Sequence, residues 1–198
     1  MKRSLKRSLL IFLTVTVLLT GGRAYGLLDT TFTSSGQILP GEKWNNVFIY
    51  NDDTIVDMFY DAWVLTAITY DRSTFNIYGG TIDRFLTCSD NSLVNIHDGG
   101  HFGTVTVEQF GVLNIYTGNI NALSATGGSI YLYAYDVTYD PMGGKFGEGE
   151  LVGRYYEDDA LFVYDLHEGA YSYITVVPEP TTLLLLGLGG FFLLRRRY

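Results

Sequence analysis

Apolar and polar positions alternate in short runs through the middle of the chain. In Phe75-Asn76-Ile77-Tyr78 and in Val105-Thr106-Val107 the apolar residues fall at every second place, the period of a half-buried strand. Clusters of Gly, Asn and Asp separate the runs, and no apolar stripe at 3.6-residue spacing lies between them, so strands are expected and helices are not. With 16 Tyr, 12 Phe and 23 Gly against only 4 Pro, the body reads as all-β.

The runs also repeat. STFNIYGGTI begins at Ser73, SLVNIHDGGHF at Ser92 and GVLNIYTGNI at Gly111, so Asn76, Asn95 and Asn114 stand 19 residues apart, as do Asp71 and Asp90. A degenerate copy starts at Gly128, and TIVDMFYDAW from Thr54 puts Asp57 one period before Asn76. A fixed period near 20 residues is the mark of a solenoid. The expectation is a small parallel β-helix, a β-solenoid of about 19-residue coils, over roughly residues 50–140. Coils about 4.8 Å apart would bring like residues into columns. Asn76, Asn95 and Asn114 would then form an amide ladder, and Tyr78, His97 and Tyr116 an aromatic column against which sugar rings could stack. Gly79-Gly80 and Gly99-Gly100 are expected at corners. Assigning Phe75, Val94 and Leu113 to the asparagine face leaves neither face uniformly apolar, so the inward face stays open. Residues 29–50 are expected to cap one end, and two or three strands beyond residue 146 the other, as a C-terminal β cap.

The two ends of the chain have a different character. Residues 1–26 carry a basic head (Lys2, Arg3, Lys6, Arg7), an apolar run from Leu9 and small residues at Ala24 and Gly26, the build of a secretory signal peptide with a short helix. A retained anchor is the alternative. Residues 27–176 would then be the exported body. At the other end Val177-Pro178-Glu179-Pro180 precedes an apolar stretch and Arg195, Arg196 and Arg197. As a helix, residues 181–194 would reach about 21 Å, short of a hydrocarbon core of about 30 Å unless the arginines snorkel or the bilayer thins. A buried amphipathic helix is the alternative, although residues 183–186 leave no polar face.

This order of motif, apolar helix and basic end over residues 177–198 resembles the PEP-CTERM sorting signal of exported bacterial proteins. The resemblance implies that Pro178, Glu179 and Pro180 are read by exosortase, an integral-membrane enzyme of bacteria that make exopolysaccharide. The C-terminal transmembrane helix would hold the protein at the inner membrane before processing, and the product would reach the cell surface or the extracellular space. The implied partners are exosortase, the secretion machinery and exopolysaccharide.

Charge narrows the remaining classes. Without the basic ends, residues 27–194 hold 5 basic and 21 acidic groups, a formal charge of −16, which disfavours nucleic acid as a partner. The single cysteine, Cys88, precludes an intrachain disulfide and is expected to be an inert core residue. Asp71 and Asp90 fit Asx turns at a corner better than a calcium site. His97, Asp98 and His101 lack a third strong ligand nearby, so no metal and no cofactor are expected. Asp71, Asp83, Arg84 and Asp90 are the one group that stacking could assemble into a polysaccharide lyase or hydrolase site, yet their place in repeated frames favours a structural role. The expected function is that of a non-enzymatic structural protein of the cell surface or matrix, with carbohydrate binding or adhesion as the alternative.

Overall fold

A computed structural model describes residues 28–178, apart from 99 and 146. Short alternating segments here become strands joined by tight corners. They run β1 (Leu28–Phe32), β2 (Gly36–Ile38), β3 (Lys43–Ile49), β4 (Ile55–Phe59), β5 (Trp63–Thr69), β6 (Thr74–Tyr78), β7 (Thr81–Cys88) and β8 (Leu93–Ile96). There follow β9 (His101–Val107), β10 (Val112–Ile115), β11 (Asn119–Ala125) and the longer β12 (Ser129–Asp140). The odd strands β1 to β11 pair in parallel as one sheet and the even strands β2 to β12 as the other, so each turn of chain adds one rung to both. The result is a β-solenoid of about 5 turns. The signal helix and the membrane helix expected at the two ends lie outside the described residues. Among the described residues no helix is long and apolar enough to cross a membrane.

The apolar residues of the alternation meet between the two sheets. Val56 and Met58, Phe75 and Ile77, Val94 and Ile96, Leu113 and Ile115, and Ile130 and Leu132 line the inner side of the even sheet, each fully buried. Val64 and Ala67, Ile82 and Leu86, Phe102 and Val105, and Ile120 and Leu123 are buried on the odd sheet, and all of these residues join one core cluster. Burying one such large side chain stabilises the fold by about 1.5–3 kcal/mol, and with no disulfide the core carries most of the stability. The assignment of Phe75, Val94 and Leu113 to the asparagine face is therefore corrected. Each precedes its asparagine by one residue, so the period of two turns it to the opposite side, together with Ile77, Ile96 and Ile115.

Corners explain the other repeated residues. Asp71, Asp90 and Gln109 take φ values of 56°, 55° and 53°, and Gly128 follows at 71°, a left-handed corner in each coil that Asx residues and glycine tolerate. Beneath it the Ser73 hydroxyl donates to the Tyr70 carbonyl at 2.6 Å and the Ser92 hydroxyl to that of Ser89 at 2.7 Å, so the buried serines satisfy the turn that they close. Gly111 takes the next place, where a Cβ would come within 2.4 Å of the Cys88 carbonyl oxygen. At the opposite corner Gly79 and Gly80 have φ of 130° and 91°. Gly99 lies outside the described residues.

The two ends differ. At the C-terminal end β12 runs on past its rung and pairs antiparallel with β13 (Glu150–Tyr155), which pairs with β14 (Leu161–His167), while β14 lies parallel to β11. A short 3-10 helix (Ala170–Tyr173) leads into β15 (Ile174–Val177), which adds a parallel rung on β12. These strands join the two sheets and cover the end of the core. The expected cap over residues 29–50 does not form. Those residues make β1 and β2, the first coil, and β3, which opens the second, because they pair in the same parallel register as the coils that follow.

Candidate functional site

The outer face of the even sheet holds the residues singled out by the repeat. On β6, β8 and β10 the middle outward position is Asn76, Asn95 and Asn114, paired rung to rung in register. The Asn114 Nδ2 donates to the Asn95 Oδ1 at 2.8 Å, and the Asn95 Nδ2 to the Asn76 Oδ1 at 2.8 Å. Asn76 in turn donates to the Asp57 Oδ1 at 2.9 Å. The ladder thus has a direction. Each amide gives a hydrogen to the coil before it, and Asp57, which needs only to accept, stands at the first rung.

Two residues beyond each ladder position, at or just past the strand ends, runs the aromatic column. Tyr78 and His97 stack with ring centroids 5.0 Å apart, His97 and Tyr116 at 4.9 Å, each pair within 9° of parallel. Phe59 extends the stack at one end, 5.8 Å from Tyr78, and Tyr133 at the other, 4.2 Å from Tyr116. The structure therefore brings together all three asparagines and all three ring positions expected from the sequence. It adds Asp57, Phe59 and Tyr133. Asp57 and Phe59 follow from the 19-residue frame, but Tyr133 comes only 17 residues after Tyr116 and escapes a fixed period. Tyr78 is 40% exposed, and the rest of the column is half-buried. Burial among its neighbours, reinforced by a hydrogen bond with Tyr133, pushes the Tyr116 hydroxyl up to about 12.

This face carries little charge. Among the strands β3 to β11 only Asp57 and Asp83 are acidic, and the other carboxylates of the coils sit at the corners. Stacked rings with locked amides can pack, and at their edges they can offer hydroxyls and ring nitrogens to a ligand.

The remaining candidates are not gathered. Asp83 and Arg84 form a bulge near the start of β7, opposite Gly103, whose Cβ would fall 2.3 Å from the Arg84 carbonyl oxygen. Asp71 and Asp90 stand at the corners beyond the far ends of β5 and β7, six residues or roughly 20 Å of extended chain from Arg84. The Asp71 Oδ2 accepts the Asn51 backbone N–H at 2.9 Å, a bond across the corner. Among the described residues no group of three or more His, Cys, Asp or Glu is placed to hold a metal ion. Cys88 points into the core, and burial raises its thiol pKa, partly offset by hydrogen bonds with Ser92 and Thr69.

At the end of the described residues, β15 is the last rung of the even sheet, and Pro178 follows it at once, exposed. Without an N–H, Pro178 cannot extend the pairing of β15. Glu179, Pro180, Arg195, Arg196 and Arg197 lie outside the described residues. The sequence from residue 176 to 197 matches the PEP-CTERM protein-sorting motif. The chain ends in a sorting signal. The PEP-CTERM motif implies export, a sorting signal at the membrane and exosortase as the processing partner. It opens at Val176, inside β15, so the solenoid leads into the signal without an intervening linker. No curated protein and no solved structure matches the chain.

Proposed function

We propose that the protein is a non-enzymatic structural component of the cell surface or extracellular matrix in an exopolysaccharide-producing bacterium, delivered through an N-terminal signal peptide and released or anchored by exosortase. The supporting observation is that the outward groups of the ladder face are used on one another. The interior rings Tyr78, His97 and Tyr116 each have a ring on both sides, and the amides of Asn76 and Asn95 donate and accept within the ladder. A sugar stacks on an open aromatic face, and the faces of these three rings are already covered. The wide separation of Asp71 and Asp90 from Asp83 and Arg84 supports a role without catalysis.

Carbohydrate binding is the second reading. It is favoured by one observation, the exposed edge of a five-ring column on a nearly uncharged face of a protein that is otherwise strongly acidic. A neutral or anionic polysaccharide laid along that edge would meet the hydroxyls of Tyr78, Tyr116 and Tyr133, the ring nitrogens of His97, and little repulsion.

Intact-mass measurement of the protein recovered from its native cell surface tests the export and processing: loss of both ends is expected, and a full-length product in the cytosol refutes it. Binding of the native exopolysaccharide to the wild type and to a Tyr78→Ala variant separates the two readings. Binding that Tyr78→Ala abolishes would replace the scaffold with the binder.

A further inference from the structure

The two ends of the solenoid are not equally closed. At the C-terminal end β13 bridges the sheets, and the free edge that remains is the four-residue β15, which stops at Pro178. At the N-terminal end β1 pairs only with β3, and β2 only with β4, among the described residues. Among the described residues two strand edges are thus open side by side. Neither contains a lysine or a proline, so the only blunting is the shortness of β2 and the break in register between Leu28 and Thr30 of β1. Their one acid, Asp29, accepts hydrogen bonds from the Asn45 and Asn46 side chains at 3.1 and 2.9 Å. Leu28 and Leu39 beside the edges are 68% and 48% exposed.

We propose that this open first coil is an interface for a second copy of the chain, joined N-terminal end to N-terminal end. Three features select that partner. The edges of β1 and β2 lie about 10 Å apart, one per sheet, and run in opposite directions across the coil. A single extended peptide satisfies one edge only, whereas the end of another coil satisfies both. The C-terminal end of a second copy offers a single free edge, β15, against the two to be satisfied, which leaves its N-terminal end. A two-fold axis perpendicular to both the coil stack and the strands then places β1 antiparallel to β1 and β2 antiparallel to β2 of the other copy, with Gln37 facing its equivalent. Charge agrees. Residues 28–50 contain two acids and one lysine, a net −1, while residues 129–178 contain nine acids and two bases, a net −7, so the N-terminal ends repel each other least. Because the interface is isologous, assembly stops at two.

The test uses the full chain in detergent. Sedimentation over a wide range of protein concentration is expected to show a monomer–dimer equilibrium. Gln37→Lys, at the exposed centre of the three-residue β2, sets two positive charges across the two-fold axis and should weaken the dimer at least ten-fold while leaving the circular dichroism spectrum unchanged. In parallel, Gln37→Cys should form a disulfide-linked dimer on mild oxidation, whereas Tyr60→Cys, exposed on a later corner, should not. A monomer throughout, a dimer that Gln37→Lys does not weaken, an open-ended polymer, or the absence of a disulfide-linked dimer from Gln37→Cys would each overturn the proposal.

Discussion

Asn95 occupies the middle of the amide ladder and offers the sharpest test of how the coils hold one another. Asn95→Ala removes two hydrogen bonds at once, the one given to Asn76 and the one received from Asn114, both 2.8 Å. Each such bond contributes a net of about 0.5–1.5 kcal/mol. The ladder is half-buried, so water restores part of the loss, and the expected destabilisation is about 1–3 kcal/mol. Asn114→Ala breaks only the bond given to Asn95 and should cost about half as much. Asn95→Asp is the more telling change, because a carboxylate still accepts from Asn114 but sets oxygen against the Asn76 oxygen, and should cost at least as much as alanine. Asp57→Asn keeps an acceptor at the first rung and should change stability by less than about 0.5 kcal/mol. Urea unfolding of the full chain, followed by the fluorescence of Trp44 and Trp63, measures all four. A solenoid can unfold in stages, so coincident transitions by fluorescence and circular dichroism are required first. Equal costs for Asn95→Ala and Asn114→Ala, or a fully stable Asn95→Asp, would refute the directional ladder.

Further outcomes follow from packing and titration. Phe75 is fully buried and Phe110 is 73% exposed, so Phe75→Ala should lose about 3–5 kcal/mol and Phe110→Ala less than about 0.5 kcal/mol in the same unfolding assay. Gly103→Ala drives a methyl to within 2.3 Å of the Arg84 carbonyl and should cost about 1–3 kcal/mol by straining the bulge, read as a lowered urea midpoint. Because the fold raises the Tyr116 pKa from 10.0 to about 12, its protonated form is favoured in the native state. That contribution is fully present below the ordinary tyrosine value and disappears as pH rises through about 12. Unfolding midpoints should therefore fall over this window, and fall less in Tyr116→Phe, with phenolate absorbance reporting the ionisation.

Much of this fold can be read from spacing, because stacked coils force like residues into columns. Asn76, Asn95 and Asn114 recur at one interval since an amide both gives and receives along a column, and Ser73 and Ser92 recur because each closes the same turn. The columns fade where the chain changes task. The first coil lacks the Asn-Ile-aromatic core, so β1 and β2 resemble loop, and only their pairing with β3 and β4 makes them rungs. Tyr131 and Tyr133 lie on a coil shortened by two residues and fall out of step. The parity of Phe75 is the easiest feature to misread, because the inward Ile77 and Phe75 flank the asparagine and a one-residue slip exchanges the two faces. The ring column was visible as a column. That its rings cover one another's faces depends on their near-parallel tilt, which spacing alone does not contain.

The short corners and constant register also make the length of the molecule adjustable. Because each 19-residue unit contacts chiefly the rungs before and after it, gain or loss of one unit would move the first coil by about 4.8 Å relative to the tail-bearing end. Such a change leaves both extremities chemically intact. The fold is in this sense a ruler whose graduations are single coils, with the sorting signal fixed at its zero mark.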